Sequence, residues 1–321
     1  MYNDNLAPRA KLLSLLVAAA CAGVALPAAA DPSISLTAVY ALNGAPEVDA
    51  MAEDGFSPPS TGGDYLNTKS AAGSSVFFHT YGFTSSPTYF GARASGEGLD
   101  FYAKTSALYS GTYTNTSGSA VALNFSFNLD GGEVGLWGTG NGSANLRLQI
   151  RRNGSVVSQG DTLITQVGAT VNCSESDIGA LGAWASCAAA DSNSVWGSGG
   201  AYSVDMGLVA AGETITIDYD IISTVSGQYI DGAQSSGSCN NYGGYALVAE
   251  EGVEQPYVPC VNFNGISRSG DPFNGNEPSV SADFLLTAEA VALPEPGSLA
   301  LLAAAGGGLL VSRRRRGGSA R

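Results

Sequence analysis

The chain has 321 residues, a formal net charge of −14, 13% charged residues, 43 glycines, five cysteines and a single histidine. Its bases crowd the two ends: between residues 31 and 293 stand 26 acids and 7 bases, a net of −19. So acidic a body is repelled by phosphate backbones and anionic lipid surfaces, which argues against nucleic acid and leaves cations, neutral glycans or basic proteins as candidate partners.

Solubility alone is the simpler account of that acidity. At the N-terminus, Arg9 and Lys11 precede an apolar run over 12–24, and Ala28-Ala29-Ala30 closes an Ala-x-Ala cleavage site for signal peptidase. Residues 1–30 therefore read as a secretory signal peptide, with Ala28 and Ala30 at the cut and Asp31 as the mature N-terminus. Cys21 after three alanines offers a lipoprotein alternative, but the usual leucine of that box is missing.

Residues 31–293 read as one exported β domain. Glycine, serine, threonine, asparagine and tyrosine abound, and apolar runs are short. Period-two alternation over 121–129, 146–151 and 215–221 predicts strands with one buried and one wet face. Weaker candidates lie at 33–40, 75–83, 107–113, 162–171, 202–209, 245–249 and 283–291. Asp130-Gly131-Gly132 and Asn153-Gly154 mark turns, Gly138-Thr139-Gly140-Asn141-Gly142 reads as a hairpin loop, and 178–190 allows one short helix. Some ten antiparallel strands with little helix predict an all-β fold, an antiparallel two-sheet β-sandwich of jelly-roll type.

Once Cys21 leaves with the signal peptide, Cys173, Cys187, Cys239 and Cys260 remain, an even number in an exported chain. Three pairings are open. The local one, Cys173–Cys187 with Cys239–Cys260, closes loops of 14 and 21 residues by subtraction and is favoured. Zinc binding is the rival, without a Cys-x-x-Cys pair or a neighbouring histidine to support it. Any catalytic triad must use His79, which sits in a strand-like aromatic run where a structural histidine is commoner; no Gly-x-Ser-x-Gly elbow or P-loop occurs. No enzyme is expected. Calcium is the best chemical speculation, held by Asp130 and Glu133, or by Asp271, Asn274, Asn276 and Glu277, with ordinary turn chemistry as the alternative. For a carbohydrate-binding module the residues to inspect are Trp137, Trp196, Tyr242 and Tyr245.

The tail, 294–321, carries three ordered parts. Pro294-Glu295-Pro296 bars a helix and is extended. Residues 299–311 form an apolar stretch of 13 residues, about 20 Å as a helix against a hydrocarbon core of about 30 Å. Arg313, Arg314, Arg315 and Arg316 then stop transfer and stay cytoplasmic, their stems reaching for the headgroups. A tail anchor with a coincidental Pro-Glu-Pro is the plainer alternative. The three parts together resemble the PEP-CTERM protein-sorting signal, apart from the extra residues 317–321. That resemblance implies export by an exopolysaccharide-making Gram-negative bacterium. It also implies recognition by an exosortase, an integral-membrane cysteine peptidase-like enzyme acting near the motif. The resulting expectation is a non-enzymatic surface or exopolysaccharide-matrix protein, held transiently in the inner membrane. An extracellular carbohydrate-binding, calcium-stabilised module is the alternative.

Overall fold

A computed structural model describes residues 32–57, 60–84, 90–129, 131–181, 186–189, 193–197, 199–230, 263–269 and 285–290. Among these, the strands in chain order are β1 (Ser33–Leu42), β2 (Val48–Asp49), β3 (Gly62–Ala71), β4 (Ser74–Phe83), β5 (Phe90–Gly98), β6 (Asp100–Thr114), β7 (Val121–Leu129) and β8 (Gly132–Gly138). They continue with β9 (Gly140–Arg152), β10 (Ser155–Gly168), β11 (Thr170–Glu175), β12 (Ser194–Gly197), β13 (Gly200–Val209), β14 (Thr214–Tyr229), β15 (Phe263–Ser269) and β16 (Leu285–Ala290). One short helix, α1 (Ala50–Glu53), follows β2, capped by the Asp49 carboxylate, which accepts from the Met51 and Ala52 amides at 3.0 and 3.1 Å.

All pairings are antiparallel. The strands form a seven-stranded sheet of order β11-β10-β9-β14-β6-β1-β2, a six-stranded sheet of order β12-β8-β15-β5-β4-β3 and a three-stranded sheet of order β13-β7-β16. β4 and β5 pack across β6, and β5 and β15 across β14, so the two large sheets face each other. Each expected alternation becomes an inward row. In β9 these are Ala144, Leu146, Leu148 and Ile150, and in β14 Ile215, Ile217, Tyr219 and Ile221, all buried. The three-stranded sheet adds Phe125 and Phe127, whose ring centroids lie 6.4 and 4.8 Å from that of Tyr219.

The inner faces interlock large on small. Phe263 of β15 fills a cradle of glycines: a Cβ added at Gly140, Gly142 or Gly227 would come within 2.5–2.8 Å of its ring. Phe101 of β6 sits under Gly96 of β5, with three ring atoms within 2.9 Å of where a Cβ would stand. Much of the inner face of β5 and β15 is small, so these two strands show no apolar alternation; they escape a pattern reading, as do β3, β8 and β12. The inward positions of β15 are Phe263, Gly265, Ser267 and Ser269, and those of β5 are Phe90, Ala92, Ala94 and Gly96.

Three local expectations change. The run 162–171 is two strands, because Gly168 turns with φ +63° between β10 and β11. Gly138-Thr139-Gly140 is not a hairpin loop, since β8 and β9 lie in different sheets and Thr139 alone carries the chain across. Two 3-10 turns, Gly179–Leu181 and Cys187–Ala189, stand where a short helix was expected, with 182–185 outside the described residues. Asn153-Gly154 does close the β9–β10 hairpin, with φ of 50° and 78° as a two-residue turn requires.

Candidate functional site

Of the residues singled out from sequence, many lie outside the described residues. These are Ala28, Ala30, Asp130, Cys239, Tyr242, Tyr245, Cys260, Asp271, Asn274, Asn276, Glu277, Pro294, Glu295, Pro296 and Arg313 to Arg316. Cys173 and Cys187 are brought together as a disulfide with Cα atoms 5.7 Å apart. It ties β11 to the second 3-10 turn, and the Cys187 amide donates to the Glu175 carboxylate at 2.8 Å. Among the described residues no group of three His, Cys, Asp or Glu side chains could hold a metal ion, and no helix is long and apolar enough to cross a membrane. Glu133, weighed as a calcium ligand, is instead buried against Arg268, with Oε2 2.5 Å from Nη2.

Glu133 belongs to the outer face of the six-stranded sheet, whose register assembles a row the sequence does not announce. Inward Val134 and Leu136 set the parity of β8, so Glu133, Gly135 and Trp137 point outward. Pairing then aligns Leu66, His79, Arg93, Arg268, Glu133 and Trp196 across six strands. The Arg268 guanidinium lies over the Trp196 indole, 5.7 Å from its centroid, and Trp196 is still 51% exposed. Four positions along β8 from Glu133, the Trp137 ring folds back over Gly135, where a Cβ would meet Cζ2 at 2.7 Å and Ser194 Cβ at 3.0 Å. The Trp137 indole thus lies back against the sheet, and the Trp196 indole against the Arg268 guanidinium. Asn264 is the register neighbour of Trp137, and Glu97 that of Asn264.

Further along the same face, Arg93 caps the Phe77 ring at 4.7 Å. His79 Nε2 meets Asp64 Oδ1 at 3.0 Å, and its ring leans on Tyr81 at 5.1 Å. His79 thus pairs with Asp64 on the outer face of β4.

The outer face of the seven-stranded sheet is polar and cross-linked within itself. Asp161 accepts from Asn145 and from Arg147, at 2.6 and 2.9 Å, and Gln149 donates to Gln159 at 2.7 Å. Arg151 lies 3.8 and 3.7 Å from Asp218 and Asp220, which also accept from Ser110 and Ser106. Burial pushes the Asp220 carboxyl up, and the Ser106 hydroxyl and Arg151 pull it partly back. Around α1, the Asp54 carboxylate accepts from Lys69, Tyr65 and Asn67, and Tyr40 donates to Glu53 at 2.7 Å. These networks fasten the structure. The edge bearing Trp137 and Trp196 differs from them in carrying a half-exposed indole over a buried ion pair.

No family model matches the chain, and no curated protein matches it.

Proposed function

We propose that the protein is an exported, non-enzymatic surface or exopolysaccharide-matrix protein. On this reading it is cleaved by signal peptidase, held in the inner membrane by its C-terminal segment, and sorted by an exosortase through Pro294-Glu295-Pro296. The observation that carries the reading is the Cys173–Cys187 disulfide. Such cross-links persist in oxidising compartments outside the cytosol, where the N-terminal signal directs the chain. The body suits that setting: a β-sandwich whose outer faces are wet and whose net charge keeps copies apart. The jelly-roll reading draws support from the chain's changes between the two large sheets at β2 and β3, β5 and β6, β8 and β9, β11 and β12, and β14 and β15. The meanders β3–β4–β5 and β9–β10–β11 stay within one sheet and depart from that path.

The test is mass spectrometry of protein recovered from the cell surface and medium. Asp31 as the N-terminus and a C-terminus cut or modified near Pro294-Glu295-Pro296 are expected. An intact Arg321 on protein outside the cell refutes the sorting half of the reading. A second reading, a carbohydrate-binding module, is favoured by one observation, the half-exposed Trp196 laid over Arg268.

A further inference from the structure

We infer that the β8–β12 edge of the six-stranded sheet is a binding site for a neutral polysaccharide, with the indoles of Trp196 and Trp137 as its platforms. The inference rests on the carbohydrate-binding reading and gives it a place and a ligand class. The parity of β8 and β12 puts both side chains on one face. Trp137 is four residues beyond Glu133, the register partner of Trp196, or about 13 Å along the strand. Its ring turns back over Gly135 and shortens that gap. The two platforms therefore stand on one line, at a separation that suits successive units of a chain rather than one small molecule.

Each ring is held flat by what lies beneath it. Gly135 has no side chain, so the benzo edge of the Trp137 indole settles over its backbone, beside Ser194 Cβ, and the residue stays partly exposed. Arg268 lies on one face of Trp196, is itself buried and is fixed by Glu133. Rings so held lose little freedom when a ligand lands on them. A flat, electron-rich surface accepts the C–H face of a pyranose, and the bordering Asn264 side chain offers amide groups to its rim.

Charge selects the class. A body of net −19 repels anionic polymers, and the two arginines of the row do not reverse this. Arg268 is neutralised by Glu133, while Glu97 adds an exposed carboxylate beside Asn264. What remains compatible is a glycan without charge.

The experiment is native affinity electrophoresis of the mature body in gels holding hydroxyethylcellulose, dextran or alginate. Retardation by at least one neutral polymer and none by alginate is expected. Trp196→Ala and Trp137→Ala each weaken retardation about tenfold or more, the loss typical of a stacked aromatic anchor. Trp196→Phe retains most of it, and Leu66→Ala, an equally exposed apolar residue at the far end of the row, leaves it unchanged. Unaltered thermal unfolding of each variant separates lost binding from lost folding. No retardation by either neutral polymer, retardation by alginate, or equal loss in Leu66→Ala overturns the inference. Export and processing are read by fractionation, so failure here leaves the sorting reading standing, and failure there leaves this one.

Discussion

Gly96 and Phe101 offer a direct test of how the two large sheets interlock. Phe101 is 1% exposed on β6, and its ring occupies the space a Cβ at Gly96 of β5 would need. The three nearest atoms to that Cβ all belong to Phe101. Gly96→Ala must therefore displace a buried ring, at about 1–3 kcal/mol. The strand's preference for alanine over glycine returns only about 0.5–1 kcal/mol of that. Phe101→Ala removes the ring and leaves a cavity, a loss of about 3–5 kcal/mol. At about 2–4 °C per kcal/mol for a domain of this size, its midpoint falls roughly 6–20 °C. The two changes do not add. With the ring gone, the methyl group that Gly96→Ala introduces meets no obstacle and fills part of the cavity, so the double variant should be no less stable than Phe101→Ala alone. The coupling is then about 1–3 kcal/mol, within the range for residues in contact. Urea unfolding of the four proteins with the disulfide intact measures it. Additive losses would show that Phe101 does not pack where the structure places it.

Three further outcomes are expected. Protein isolated without reductant should carry no alkylatable thiol at Cys173 or Cys187, and Cys173→Ser with Cys187→Ser should lower stability by about 3 kcal/mol for a closed loop of 14 residues; an unchanged urea midpoint on reduction counts against it. The Asp54 carboxyl is held below its ordinary range, first by Lys69 and then by the Tyr65 hydroxyl. Its folded pKa is therefore below the unfolded one, and its contribution is present above about pH 3.9 and lost as pH falls through the lowered value. Asp54→Asn should accordingly narrow the stability difference between neutral and strongly acidic pH, and an unchanged pH profile would refute the linkage. In the precursor, replacing Arg313 to Arg316 with serine should abolish membrane retention and processing, because each arginine that must cross costs at least about 2.5–3.5 kcal/mol. Glu295→Ala should keep retention and impair processing alone; fractionation in which both variants behave alike would remove the proposed division between anchor and motif.

Alternation carried the fold class. Over 121–129, 146–151 and 215–221 one residue in two is apolar, and each run lies in a strand with that face buried. This was legible because large apolar side chains facing inward have to repeat at the pleat's period. Two tryptophans weighed for glycan contact stand on one face, but nothing near them in the chain named Arg268 or Glu133 as their neighbours. Those residues are ordinary until pairing of β15, β8 and β12 sets them in a row. The same holds for the strands missed by pattern. Apart from Phe90 and Phe263, β5 and β15 bury glycine, alanine and serine, residues that look like turn material until the rings opposite them are seen.

By itself the sequence determined an antiparallel all-β body, the wet and dry faces of its strongest strands and the Asn153-Gly154 hairpin, and it favoured the Cys173–Cys187 pairing that the structure shows. These depend on a residue's own chemistry and on partners near it in the chain. Tertiary structure alone decided that β14 lies between β6 and β9, that Gly138-Thr139 crosses between sheets, and that Trp196 rests on Arg268. Those choices join residues tens of positions apart. They follow from how rings and glycines fit across two sheets, a complementarity that no single stretch of chain contains.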